Sequence, residues 1–168
     1  LELVDDWPAP QAEKGQVVIG IRAAGLNFPD VLIIQGKYQF QPEMPFVPGG
    51  GCAGEVIAVG EGVDRYKVGD KVIAMTGHGC FCEQIAVDQH AVMPMPEGLD
   101  FTQAAGVAMT YFTSSHALKQ RAKLKEGETL LVLGAAGGVG STAVELGKMM
   151  GAKVIAAASS EEKLALCR

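Results

Sequence analysis

Thr129-Leu130-Leu131-Val132-Leu133, followed by Gly134-Ala135-Ala136-Gly137-Gly138-Val139-Gly140, decides the fold class. An unbroken apolar run rich in branched side chains suits a strand of a parallel sheet, because helices cover both of its faces. Past the glycines, Val139, Ala143, Leu146, Gly147 and Met150 recur at helical spacing, and Gly151 supplies a stop. The segment therefore predicts a strand, a tight glycine turn and a helix. Lys153 to Ala158 predicts a second strand.

A strand, a glycine turn and a helix in this order make the unit that holds a dinucleotide pyrophosphate. Glycines let phosphate oxygens approach the backbone, and the helix N-terminus offers free N–H groups with partial positive charge. In the usual three-glycine fingerprint Ala135 takes the first position, while Gly137 and Gly140 fill the other two. Ala136, Gly137, Gly138, Val139 and Gly140 are the predicted cofactor contacts. The alternative is a glycine turn that only packs a helix tightly on a sheet.

The end of the second strand bears on which dinucleotide binds. An NAD site places an Asp or Glu there, against the ribose hydroxyls. Here the position falls on Ala158, and Ser159, Ser160 and Lys163 follow with hydroxyls and a cation suited to a phosphate. These residues predict NADPH rather than NADH, with Ser159 and Lys163 on the extra phosphate. The competing reading is that Ser159 and Ser160 simply cap a helix starting near Glu161.

The 168 residues are 48% hydrophobic and 20% charged, enough to bury a sizeable core. A formal charge of −5 argues against nucleic acid or an anionic membrane surface as partner. No apolar run reaches spanning length and Leu1 opens into a charged segment, so the expectation is a cytoplasmic protein without membrane helix or signal peptide. Cys52, Cys80, Cys82 and Cys167 lack the spacing of a disulfide framework or zinc ribbon. The chain has no initiator Met and stops in the second helix of a nucleotide fold, which leads us to expect a fragment.

From the start of the chain, Leu1 to Trp7 and Gln16 to Ala24 read as strands. A helical turn follows Asn27-Phe28-Pro29-Asp30 and ends at Gly36. Residues 38 to 51 read as loop, and strands recur at Gly54 to Val59, Lys71 to Met75, Cys82 to Val87 and Ala91 to Met93. Short strands separated by glycine turns predict a partly open β-barrel over residues 1–98. The composition changes after Pro96-Glu97-Gly98. One helix is expected through Ala104, Ala105 and Ala108, and another over Thr110 to Gln120, opening an α/β region over 99–168.

Gly25-Leu26-Asn27-Phe28-Pro29-Asp30, Pro45-Phe46-Val47-Pro48-Gly49, Gly54-Glu55-Val56, Val68-Gly69-Asp70-Lys71-Val72, Ala104-Ala105 with Thr110, and Ala135 to Gly140 stand in one order along the chain. In that order the sequence resembles the medium-chain dehydrogenases/reductases, nearest the zinc-independent, zeta-crystallin-like NADPH:quinone oxidoreductase branch. The resemblance implies a GroES-like barrel followed by an incomplete Rossmann domain, a doubly wound parallel sheet. It also implies NADPH as cofactor, a quinone or α,β-unsaturated carbonyl as substrate, and a homodimeric full-length protein. Asn27, Tyr38 and Thr110 would then lie near the nicotinamide, with Asp30 structural.

No metal is expected. Zinc-dependent relatives carry a Cys where Asn27 stands and a His-Glu pair where Gly50-Gly51 stand, and His78 with Cys80-Phe81-Cys82 is too cramped to replace them. Two other functions fit the same scaffold: an enoyl thioester reductase, and a non-catalytic NADPH-binding protein. Residues 1–168 alone are expected to have weak or no activity.

Overall fold

The computed structural model describes all of residues 1–168. Five strands, β1 (Gln16–Ala24), β2 (Gly51–Val59), β3 (Lys71–Met75), β4 (Gln84–Asp88) and β5 (Val92–Pro94), form an antiparallel half-barrel in the order β4-β1-β2-β3-β5. Helix α1 (Phe28–Ile34) lies between β1 and β2 in the chain, and α2 (Phe101–Ser115) follows β5 and widens into a π-helical stretch over His116–Arg121. Then come β6 (Thr129–Leu133), α3 (Gly138–Met149), β7 (Lys153–Ala157) and α4 (Glu161–Ala165). β6 and β7 pair in parallel, from Thr129 with Lys153 to Leu133 with Ala157. By compactness the chain divides into Leu1–Ala108 and Met109–Arg168, a boundary inside α2.

In the first unit the sheet buries residues on both faces. Along β3, Val72 and Ala74 enter one core with Val17, Ile19, Cys52 and Val56, while Ile73 points the other way to Ala104, Ala105 and Ala108 of α2. That is the period-two alternation of a strand meeting the small-residue face of a helix. Each large aliphatic side chain so buried stabilises the fold by about 1.5–3 kcal/mol. Gly54 of β2 packs tightly against β1, and a Cβ there would strike the Gly20 carbonyl oxygen and approach Ile19 to 2.8 Å.

Two expectations are corrected. Leu1 to Trp7 forms no strand, and Leu1 and Leu3 are 97% and 90% exposed. Both edges of β1 are already paired, with β2 and β4, so the apolar residues of this segment have no ladder to join there. The two helices expected around Ala104 and Thr110 are one, because nothing stronger than Gly106 interrupts the run, and a single helical glycine is tolerated. No helix is long and apolar enough to cross a membrane.

In the second unit the Tyr111 hydroxyl of α2 donates to the Glu145 carboxylate of α3. That bond, with some desolvation, holds the phenol above its ordinary value of 10.0. The protonated phenol is the bonded form, so its contribution to stability is present below the unfolded pKa of about 10 and is lost as pH rises through the higher folded value. Alkaline absorbance titration of Tyr111→Phe is expected to lack one tyrosinate step that the wild type shows above pH 10. A missing step at or below that pH would contradict the clip.

Candidate functional site

The chain leaves β6 through Gly134, whose φ of +65° is the left-handed conformation that glycine adopts without strain. Gly137 N–H then donates to the Gly134 carbonyl at 3.0 Å, and α3 begins at Gly138. The first bond of the helix is Ser141 N–H to the Gly137 carbonyl, 2.8 Å. The N–H groups of Gly138, Val139 and Gly140 precede it, so they have no partner within the helix and face outward with the positive end of the helix dipole. A Cβ on Gly140 would collide with the Gly134 carbonyl oxygen and lie 2.9 Å from Ala135 Cα. Turn and helix thus approach as only glycine permits.

The residue making the sharp turn is Gly134, one position before the alanine that the fingerprint alignment put there. Ala135 is instead fully buried, and its N–H donates to the Ala157 carbonyl at 3.0 Å, tying the turn to the end of β7. The signal was in the sequence, since Gly134 directly follows the last strand residue.

Beyond the ends of β6 and β7 lies an open groove of about 510 Å³, lined by Gly134, Ala136, Gly137, Ala157, Ala158, Ser159 and Lys163. Strand C-terminal ends are where parallel sheets hold their ligands. The two serines divide the work that sequence reasoning left open. Ser160 Oγ accepts from the Lys163 N–H at 3.3 Å and caps α4, while Ser159 Oγ lies 3.3 Å from Lys163 Nζ and both line the groove. A glycine cradle with open N–H groups lies at one end, and a hydroxyl and an ammonium at the other, all of them donors suited to phosphate oxygens.

Thr110 belongs to the same unit. Its methyl lies 3.2 Å from where a Gly138 Cβ would stand, and its carbonyl accepts from Thr142 Oγ1 at 3.2 Å. Ser114 Oγ donates to the Val139 carbonyl at 2.8 Å. The end of α2 is thereby fastened to the first turn of α3.

In the first unit three loops are stitched together around a buried carboxylate. Asp30, 3% exposed, accepts from the Asn27 N–H at 2.7 Å and, twenty residues away in sequence, from the Gly50 N–H at 3.0 Å. Gly50's carbonyl in turn accepts from the N–H groups of Thr76 and Gly77 at 3.0 and 3.3 Å. Asn27 uses its side-chain Nδ2 on the Gly25 carbonyl, 3.3 Å away, which is the turn-forming bond its type favours. Tyr38 is half-buried on the loop after α1, where its carbonyl accepts from Gln41 Nε2 at 2.9 Å. Sequence reasoning took Asp30 for a helix-start charge; its second partner, Gly50, has no local signal.

The sulfur and imidazole groups near this corner diverge. Cys80 and Cys52 are buried together in the barrel core. The Cys52 thiol is held well above its ordinary value, first by its hydrogen bond to Cys80 and then by burial; Cys80 is lowered, chiefly because that bond favours its charged form. Cys82 Sγ lies 3.0 Å from both the Gly79 and Gln84 carbonyls, and burial raises its thiol. His78 stacks on Phe40. No group of three or more His, Cys, Asp or Glu is placed to hold a metal ion.

A model of the alcohol dehydrogenase GroES-like domain matches residues 13–112. Among curated proteins, a quinone oxidoreductase-like protein 2 homolog of Nematostella vectensis is 40% identical over 99% of this chain and 46% of its own length. Among solved structures, the quinone oxidoreductase of Thermus thermophilus, crystallised alone and with NADPH, is 40% identical at a TM-score of 0.87, covering 99% of this chain and 52% of that one. The CurK enoyl reductase is 32% identical at a TM-score of 0.86, covering 95% and 51%. The chain spans about half the length of the curated quinone oxidoreductase relatives it matches.

Two substitutions test the two corners. Gly140→Ala is expected to lower stability by about 1–3 kcal/mol, because the colliding atoms are backbone and cannot move aside; urea denaturation measures it, and an unchanged midpoint would refute the close approach. Asp30→Asn replaces one carboxylate oxygen by an amide NH2, so one of the two backbone donors loses its acceptor and the other keeps only a neutral one, and it is expected to cost about 1.5–3 kcal/mol. The same denaturation experiment reads that loss, and a neutral effect would show the stitch to be dispensable.

Proposed function

The chain belongs to the family of alcohol dehydrogenase GroES-like domains, and from that premise we propose that it works as an NADPH-dependent oxidoreductase delivering hydride to a quinone or an α,β-unsaturated carbonyl without a metal. The observation that carries the cofactor part is the groove at the ends of β6 and β7. Ala158 leaves it without the carboxylate that would repel a 2′-phosphate, while Ser159 and Lys163 offer a hydroxyl and a cation. Ala136, Gly137, Gly138, Val139 and Gly140 would hold the pyrophosphate. When bound, NADPH supplies the hydride.

The remaining chemistry falls to this chain's own side chains. Quinones and conjugated carbonyls place the incoming electron pair on an oxygen, so the protein needs to orient the acceptor and meet the developing charge with hydrogen bonds or a proton. In this reading Asn27 and Tyr38, carried by the first of the two regions (residues 1–98), serve the acceptor through amide and phenol donors, and Thr110, in the second (99–168), flanks the nicotinamide. Asp30 acts indirectly by holding the Asn27 and Gly50 backbones. The metal-free reading is supported by the donor set: Asn27, Gly50 and Gly51 offer no thiolate, imidazole or carboxylate.

The likeness to the CurK enoyl reductase favours one second reading, reduction of an enoyl thioester on the same scaffold. NADPH consumption by the full-length gene product with 9,10-phenanthrenequinone, against crotonyl-CoA, separates the two. Tight NADPH binding without turnover of either would point to a non-catalytic role.

Cofactor choice is tested by fluorescence titration of the full-length gene product with each coenzyme. Lys163→Ala is expected to weaken NADPH binding by about tenfold or more, the loss of one charge-assisted bond to a phosphate, and to leave NADH binding unchanged. Tighter binding of NADH than NADPH by the wild type would sink the assignment.

A further inference from the structure

Two buried hydroxyls stand behind the glycine turn. Ser114 of α2 and Thr142 of α3 are 1% and 6% exposed, and their side-chain oxygens lie 2.8 Å apart. Ser114 Oγ donates to the Val139 carbonyl at 2.8 Å, which commits its one proton. The Thr142 hydroxyl therefore supplies the proton between the two, and it also lies 3.0, 3.3 and 3.2 Å from the carbonyls of Val139, Gly138 and Thr110. Thr110 and Ser114 are four residues apart on α2, as are Gly138 and Thr142 on α3, so each pair shares one face of its helix.

These carbonyls are the reverse side of the N–H groups left free at the start of α3. A peptide unit is planar, so the Gly138 carbonyl and the Val139 N–H turn together, and so do the Val139 carbonyl and the Gly140 N–H. A helical carbonyl keeps a second lone pair for a side-chain donor. The grip falls where the backbone is softest, because Gly137, Gly138 and Gly140 have no Cβ to restrict φ and ψ. Nothing within the helix holds the N–H side of these units. Two hydroxyls buried only for cohesion could be replaced together by apolar groups of the same shape at little cost; what hydroxyls add is direction.

We propose that Ser114 and Thr142 are positioning residues for the coenzyme: from behind, they fix the planes of the 138–139 and 139–140 peptides so that the Val139 and Gly140 N–H groups converge on a bound pyrophosphate. The proposal rests on the dinucleotide reading above and adds to it two residues buried behind the site. Donors aimed in advance lose little orientational freedom when the anion arrives, and that saving appears as affinity.

The test measures dissociation constants by calorimetry on the full-length gene product for NADPH, NADH and 2′-AMP, the last carrying only the phosphate end assigned to Ser159 and Lys163. Thr142→Val and Ser114→Ala are each expected to weaken both dinucleotides by about 3–10-fold, the loss from one misdirected hydrogen bond, and to leave 2′-AMP within about twofold of wild type. Thr142→Ser, which keeps the hydroxyl, is expected to bind like wild type. The double variant is expected to lose less than the product of the single losses, because both hydroxyls act through one network. Unchanged dinucleotide binding overturns the proposal, and so does equal weakening of all three ligands, which a general loosening of the fold would give. If the wild type binds NADH more tightly than NADPH, the NADPH reading falls, and loss of NADH affinity in Thr142→Val with recovery in Thr142→Ser still supports the positioning role. If the wild type binds neither dinucleotide, both fall.

Discussion

The second unit depends on how closely α3 can approach the turn that follows β6. Gly134 supplies the left-handed turn, and at position 140 a single added carbon would collide with backbone that has no freedom to retreat. Gly147, further along α3, repeats the constraint against the strands, where a Cβ would come within 2.6 Å of Leu130 and 3.0 Å of Val154. A helix lying this close presents its free N–H groups directly beyond the strand ends, and the strand ends also deliver Ala158, Ser159 and Lys163. The concentration of N–H donors at the groove is therefore a consequence of packing.

This explains which parts could be read in advance. The β6 run, the glycine turn and the period of α3 are local patterns whose physics is complete within about twenty residues. So were the strand runs of β1 and β3, bounded by turn residues, and the helix start at Asn27. Leu1 to Trp7 misled because an apolar segment at the chain's start does not reveal whether a neighbouring strand edge is free. Asp30 was legible as a helix-start acid, but its bond to Gly50 arises from tertiary folding alone. The stack of Phe40 on His78 joins residues on two different loops, and no periodicity links them.

The first unit holds its candidate residues by a different means. Around Asp30 the cohesion is almost entirely main chain: Asn27 and Gly50 N–H groups converge on one carboxylate, and residues 47–50 bond to residues 76–81 through their peptide groups. A buried carboxylate with two N–H donors is satisfied, whereas either donor left alone in the same place would be costly. The shape of residues 47–50 and 76–81 is thus set chiefly by peptide groups, and the His78 side chain takes no part in those bonds.

That separation has a consequence for how specificity is encoded. Where a loop is kept in shape by its own peptide bonds, its side chains can be exchanged with small effect on folding, and loops of this kind commonly carry recognition on a rigid frame. Positions 49 and 50 show the opposite limit. Gly49 lies under Phe81 and the Gly50 N–H is bound by Asp30, so that stretch answers to packing. The groove beyond β6 and β7 allows less latitude, since the same glycines that open its N–H groups also set the spacing between helix and sheet. Side chains on the loops can accordingly be exchanged with little effect on the framework, while in the groove only the few at 158, 159 and 163 lie outside the glycine framework.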